Sequence, residues 1–373
     1  MRAREKSFPN EPAAIKHLGT ARRKKLQEGY VLRPTPDARP QQLITRVSLP
    51  HSQQHDYFDV HRTAARLVVA SEQRPSNENA WLHQVDLDAA TTVEMFHDDG
   101  GGERAQTFSH RALYLGDNTA LFAVNDRTWR VDLRTQEAVS IASYRGGEAH
   151  FNSHCVWPSR DASYQRALVF DRGNMLRVID CAGKTVFETC VSSPTSECRS
   201  GAISPSGRRV VAYIVSRKLV YGHDDAAMDK THEARVWDVD SGELIHTVAL
   251  TVNLDRVGLT PDDRQLVALR EYAQGPAFFD LQTGARVHFF DDPDRDDRWA
   301  TCRAWAYSPD GKLLALGGYQ TQIVGASDHQ VRFTLSEDDS YGYSEVRHLQ
   351  FSSDSQTLYV GAGNGEVTGW RLS

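Results

Sequence analysis

One four-residue turn, repeated along the chain, constrains the fold more than any other feature. At 304–316 an apolar run ending in Tyr307 is followed by Ser308-Pro309-Asp310-Gly311 and then by a second apolar run from Leu313. Proline presets φ for a turn and glycine takes a positive φ at little cost, so the two runs read as a hairpin. A Gly317-Gly318 break and a third short strand at 322–325 come next. A three-stranded meander of this size is not stable alone, so the unit has to recur.

It recurs as Ile203-Ser204-Pro205-Ser206-Gly207, as Leu259-Thr260-Pro261-Asp262-Asp263 and as Phe351-Ser352-Ser353-Asp354-Ser355, each followed by an apolar strand. The third residues of the hairpin segments, 205, 261, 309 and 353, are spaced by 56, 48 and 44 residues, the period of a propeller blade with insertions. Fainter copies are read at Val156-Trp157-Pro158 and Tyr114-Leu115-Gly116-Asp117, and a seventh from Arg66 to Ala70. After each hairpin a third strand closes on a polar turn, most clearly in ARVWDVDSGELIHTV at 234–248. Trp237-Asp238 with Ser241-Gly242 resembles the WD-repeat β-propeller family, in which each unit is a four-stranded blade; the resemblance covers roughly residues 41–373. Only one repeat carries the Trp-Asp pair and none opens with Gly-His, so the family's His–Ser–Asp–Trp hydrogen-bond tetrad is not implied with the fold.

The expectation is an all-β, seven-bladed propeller with a short N-terminal helical appendage. First strands are expected near 58, 112, 154, 200, 256, 303 and 346. The last unit, 343–373, stops after its third strand, whereas 43–49 (LITRVSL) is a strand with no hairpin partner beside it. Joining the two closes the ring and removes two open sheet edges. The domain reading is therefore 1–32 helical, 33–41 a proline-rich linker, and 42–373 the propeller.

Residues 7–29 read as one helix, with a narrow apolar stripe of Ile15, Leu18 and Leu26 among lysines and arginines. The stretch KSFPNEPAAIKHLGTARRKKLQEGYV at 6–31 resembles the last helix of the WGR domain, a module found in poly-ADP-ribose polymerases, where it contacts DNA ends. The Trp-Gly-Arg strand of that family is missing, so no DNA-contact residue transfers. Arg22, Arg23, Lys24 and Lys25 form a basic cluster without interleaved aromatics, a weak nucleic-acid signal. The favoured reading is an amphipathic segment packed on the propeller, with nucleic acid an unlikely partner.

Composition narrows the remaining classes. With 40% hydrophobic and 25% charged residues the chain reads as a globular protein able to bury its own core. No apolar run reaches membrane-spanning length, and the polar, basic N-terminus has no secretory signal, so no membrane partner is expected. Cys155, Cys181, Cys190, Cys198 and Cys302 form no CxxC pair and read as reduced packing residues in a cytoplasmic protein. Residues 1–34 carry nine basic groups against three acidic ones, while the whole chain has a net charge of −6. The propeller region is therefore strongly acidic.

Its acid lies in the links between blades and in an insertion at 216–233, all expected on one face because the strand-two-to-three connections and the inter-blade links share a side. The candidate binding face comprises Asp98, Asp99, Asp224, Asp225, Asp291, Asp292, Asp294, Asp296, Asp297, Trp299, Asp338 and Asp339. Asp292-x-Asp294-x-Asp296 opens like a calcium loop, yet Asp297 stands where glycine is needed and Arg303 where a bidentate glutamate is needed. His97-Asp98-Asp99 and His223-Asp224-Asp225 lie in distant blades and lack paired histidines. Ser327-Asp328-His329 is consecutive and cannot align a catalytic triad, and Gly100-Gly101-Gly102 precedes no helix. No metal, cofactor or catalytic set is expected. The reading is a monomeric, non-catalytic interaction scaffold whose acidic face takes a protein partner with a basic segment. Two alternatives stay open: an enzyme or metabolite binder working at the mouth of the propeller channel, and a DNA-associated protein targeted through the WGR-like segment.

Overall fold

Strand character changes from the inside of each repeat to its outside, and that gradient dictates the architecture. The second strand of a repeat is apolar on both faces: every residue of Thr119–Val124 is buried, as are four consecutive residues of Arg166–Asp171. A strand with no polar face must be covered on both sides. The fourth strand instead alternates, as in Thr185–Cys190, and leaves single apolar residues such as Val139 and Val331 in solvent. Sheets stacked face to face around an axis, with their fourth strands outermost, satisfy both patterns.

The computed structural model describes residues 43–48, 57–72, 80–98, 111–124, 127–143, 158–171, 175–191, 196–218, 229–251, 253–270, 275–290, 302–318, 320–335, 346–363 and 365–372. They form seven four-stranded antiparallel sheets. This is a seven-bladed β-propeller. The expected helix at 7–29, the linker and the basic cluster Arg22, Arg23, Lys24 and Lys25 fall outside the described residues.

The hydrophobic core is divided among the gaps between blades. One cluster joins Leu168, Phe170 and Val178 of blade three to Ile203, Val210 and Trp237 of blade four. Others join blades one and two through Leu82, Tyr114 and Phe122, and blades five and six through Phe278, Leu314 and Val324. Each blade is thus half of two cores, which is why a single meander could not stand alone. Trp237 and Trp370 are both buried in these layers.

Blade seven takes its outer strand from the other end of the chain. Leu43–Ser48 pairs antiparallel with Glu366–Arg371, with Leu43 opposite Trp370 and Val47 opposite Val367. Val47 is fully buried against Phe58, Leu67 and Tyr359. Gly369 has no side chain because a Cβ there would lie 2.6 Å from Cγ2 of Thr45.

The recurring turn staples itself. Ser308 Oγ donates to Asp310 Oδ1 at 2.6 Å and accepts from the Leu313 N–H at 2.9 Å. Thr260 with Asp262 and Gln265, and Ser352 with Asp354 and Thr357, repeat that pattern. Position four takes a positive φ at Gly207, Gly311, Asp263 and Ser355 alike. These turns also link blade to blade. The Ala162 N–H donates to the Pro205 carbonyl, Ser206 Oγ to Asp263, and the Asp310 N–H to Ser355 Oγ.

Two expectations need correction. Blade three was read with its turn at Val156-Trp157-Pro158, but the turn is 161–164 and follows the strand Ser159–Arg160; the first strand expected near 154 falls outside the described residues. Asp161 does the work of the usual serine there: its Oδ1 accepts from the Gln165 and Arg166 N–H groups, both at 2.9 Å, and Tyr164 takes the positive φ. The insertion read as a loop at 216–233 is in part strand. Arg209–Lys218 and Asp229–Asp238 stay paired out to Lys218 opposite Asp229, forming an arm longer than any other hairpin among the described residues.

Candidate functional site

All seven innermost strands contribute to one central cavity of about 250 Å³. They are Tyr57–Val60, Arg111–Tyr114, Ser159–Arg160, Ser196–Ile203, Arg256–Leu259, Ala304–Tyr307 and Val346–Phe351. Glycine keeps part of the wall open. At Gly258 a Cβ would meet the Trp305 ring at 3.2 Å, so the indole lies flush against bare backbone.

The charged groups of the wall fall into two sets. The first is an ion pair joining blades one and three. Arg160 Nε and Nη2 donate to Asp59 Oδ2 and Oδ1 at 2.5 and 2.7 Å, and both side chains are almost wholly buried. Asp59 also accepts from the Tyr114 N–H of blade two at 2.9 Å. The Arg160 guanidinium lies 3.4 Å from the centre of the Tyr164 ring, and the Tyr164 hydroxyl donates to the Val60 carbonyl at 2.8 Å. Burial works against the charge on Arg160, but Asp59 and Tyr164 outweigh it, so the guanidinium is held more basic than usual.

The second set gathers on Tyr57. Arg256 Nη2 donates to the Tyr57 hydroxyl at 3.3 Å, and the Arg111 guanidinium lies 5.7 Å from the centre of the Tyr57 ring. His348 meets the same ring edge-on at 5.6 Å and the Phe58 ring at 4.9 Å. Tyr57, Arg111 and Arg256 each begin an innermost strand, which puts this set at the end of the cavity where the inter-blade links arrive. The arginine set therefore faces the long-loop side, opposite the stapled turns. Burial and then the neighbouring Arg256 pull Arg111 down to about 10. Burial followed by Arg111 and Arg256 holds His348 well below the ordinary imidazole range, so the ring is neutral at pH 7.

Of the residues expected on the acidic face, Asp98 alone is among those described. It is buried, and its Oδ2 accepts a hydrogen bond from Trp129 Nε1 of blade two at 3.1 Å. That carboxylate is used inside the blade-one-to-two interface. Asp99, Asp224, Asp225, Asp291, Asp292, Asp294, Asp296, Asp297, Trp299, Asp338 and Asp339 fall outside the described residues. Ser327, Asp328 and His329 form a turn, in which Asp328 pairs with Arg332 at 2.5 Å and His329 stacks on His288 at 3.9 Å. Cys302 is buried, and burial raises its thiol to about 12, which suits a packing residue.

The cavity residues Arg111, Arg160, Arg256 and His348, and Tyr57 beside them, were not singled out from the sequence. The available signal was Asp59, a carboxylate between Phe58 and Val60 in a four-residue strand that is buried throughout. A charge in such a strand needs a partner of opposite sign, and Arg160 is that partner.

No protein-family model and no curated protein sequence matches this chain. Solved structures do, and 1362 chains match. One belongs to the crystal structure of the mitotic checkpoint complex, with a TM-score of 0.59, 15% identity, and coverage of 92% of this chain and 99% of that one. A neighbour at such low identity establishes the propeller fold and leaves function to the site itself.

Proposed function

We propose that this chain is a non-catalytic protein-interaction scaffold that engages its partner through the long-loop face. The observation that carries this reading is the asymmetry of the disc. One face is sealed by turns that satisfy their own hydrogen bonds and link blade to blade. The other receives the inter-blade links and the extended Arg209–Lys218/Asp229–Asp238 arm. Rigid scaffolds that concentrate long connections on one side use them for recognition. A propeller chain in a solved multi-protein complex is in keeping with this use of the fold. The acidic residues of the links, chiefly 291–297 and 337–339, give that face a field suited to a basic protein segment. The reading includes a monomer in the cytoplasm, where thiols such as those of Cys181 and Cys302 stay reduced.

Charge reversal at Asp294, Asp296 and Asp297 together tests it. Partners captured by the full-length chain should associate more slowly with the variant, with a shallower salt dependence and an unchanged melting temperature. Association kinetics identical to the parent for every captured partner would reject the acidic face as a recognition surface.

A further inference from the structure

We propose that the central cavity binds a small planar molecule through an amide edge, a lactam or a carboxamide. Its carbonyl accepts from the Trp305 indole N–H, and its own N–H donates to His348 Nε2. The two side chains stand on the innermost strands of neighbouring blades, Ala304–Tyr307 of blade six and Val346–Phe351 of blade seven, and both line the cavity.

Trp305 is the donor. An indole has one polar group, its N–H, and inside a protein that group normally finds an acceptor. Trp129 finds Asp98, and Trp370 finds Thr368. Trp305 is half-buried, and its Nε1 makes no hydrogen bond among the described residues. Gly258 locates that edge of the ring. A Cβ on Gly258 would have Cζ2, Cε2 and Nε1 of the indole as its nearest atoms, at 3.2, 3.8 and 3.9 Å. Gly258 itself lines the cavity, so the indole N–H lies along the cavity wall.

His348 is the acceptor. It is buried, and its Nε2 has no hydrogen-bond partner among the described residues. The ring's hydrogen bond to the Phe58 backbone favours the protonated form, so the ring donates there, and with Nε2 unpaired the donor is Nδ1. Burial and the charges of Arg111, Arg256 and Arg160 keep the imidazole neutral. Nε2 therefore carries a lone pair at pH 7.

An unpaired donor and an unpaired acceptor on one cavity complement an amide edge, where C=O and N–H stand side by side. Leaving either group unsatisfied is costly, and a single ligand relieves both. The bare backbone at Gly258 and the small side chains of Ala304 and Ala306 leave space for a ring. A volume of about 250 Å³ suits such a molecule and is below the range typical of drug-sized ligands. The site is independent of the scaffold reading, because the acidic links take no part in it.

The test titrates the full-length protein with α-pyridone, a lactam, and in a second arm with isonicotinamide, a carboxamide. Calorimetry gives the stoichiometry, and isotope-labelled tryptophan reports the indole N–H resonances. Saturable binding of one equivalent is expected in at least one arm, and the arm that binds identifies the form of the amide. One indole resonance should move with the calorimetric midpoint. Trp305→Phe keeps a ring and loses the donor, so it should weaken binding about three- to tenfold. Methylating the amide nitrogen of the bound probe removes the N–H that His348 accepts, and should abolish saturable binding with the protein unaltered. If Trp305→Phe does not fold, the methylated probe and the indole resonances of the parent protein decide. Absence of saturable binding in both arms overturns the proposal. So does a methylated probe that binds as tightly as the unmethylated one, a folded Trp305→Phe with unchanged affinity, or a set of indole resonances that stays fixed through the titration.

Discussion

Asp59 and Arg160, in the innermost strands of blades one and three, form a two-pronged ion pair at 2.5 and 2.7 Å with almost no exposure to solvent. The pair spans the cavity wall past blade two, whose Tyr114 N–H shares the same carboxylate. Breaking a buried pair from one side leaves a stranded charge, whereas removing both sides leaves ordinary packing.

Asp59→Asn should therefore cost about 3–5 kcal/mol in chemical denaturation. The double variant Asp59→Asn, Arg160→Met should recover a large part of that loss. A double variant as unstable as the single one would show that the carboxylate matters through Tyr114 rather than through Arg160.

The depressed imidazole of His348 predicts an acid-side loss of stability. Above its ordinary pKa of 6.5 the ring is neutral in both folded and unfolded chains and contributes no slope. As pH falls below 6.5 the unfolded chain takes up a proton that the folded chain refuses, and stability drops by up to about 1.4 kcal/mol per pH unit per such histidine. His232, His246, His288 and His329 are also held low, chiefly by burial, and act in the same direction. Unfolding free energies measured from pH 5 to 8 should show a shallower slope in His348→Asn than in the parent.

Ring closure predicts a sharp difference between two truncations. Removing residues 1–38 leaves Leu43–Ser48 in place, and removing 1–50 strips the outer strand of blade seven and uncovers Val367. The longer deletion should lower the melting temperature and broaden the transition, with the shorter one nearly neutral. Equal melting of the two would mean that the strand adds nothing to stability.

The stapled turn predicts a cost that is specific to the hydroxyl. Ser308→Ala removes a donor to Asp310 and an acceptor for the Leu313 N–H at a buried position, which should cost about 1–3 kcal/mol. It should also let the Asp310 carboxyl rise toward its ordinary pKa, since the Ser308 hydroxyl is the main cause of its lowering. Ser308→Thr, which keeps the oxygen as Thr260 does in blade five, should retain most of the stability.

How far the chain could be read depended on whether a residue's task was local. Turns such as Ser308–Gly311 satisfy themselves within six residues, so their signature is visible in sequence and seven units could be counted. Blade three was displaced by several residues because Asp161 and Tyr164 fill the positions usually held by serine and glycine. The cavity set was illegible for a different reason. Arg111 and Arg256 each open a short strand, where a charge looks like any strand-end surface residue, and only the closed ring brings both to Tyr57. Asp98 shows the reverse error: within an acidic loop it looks exposed, yet an indole from the next blade claims it.

The pairing of Leu43–Ser48 with Glu366–Arg371 also sets the order in which the molecule can be made. During synthesis the strand that finishes the disc leaves the ribosome before the other blades, and its mate leaves after them. Until then, the first and last blades each present a bare flank to solvent. Joining ends so remote in sequence is entropically the most demanding step, and it comes when every other blade is already in hand. A nascent chain of this design is most exposed to mispairing with a neighbour just before completion, when its own latch has nothing yet to catch.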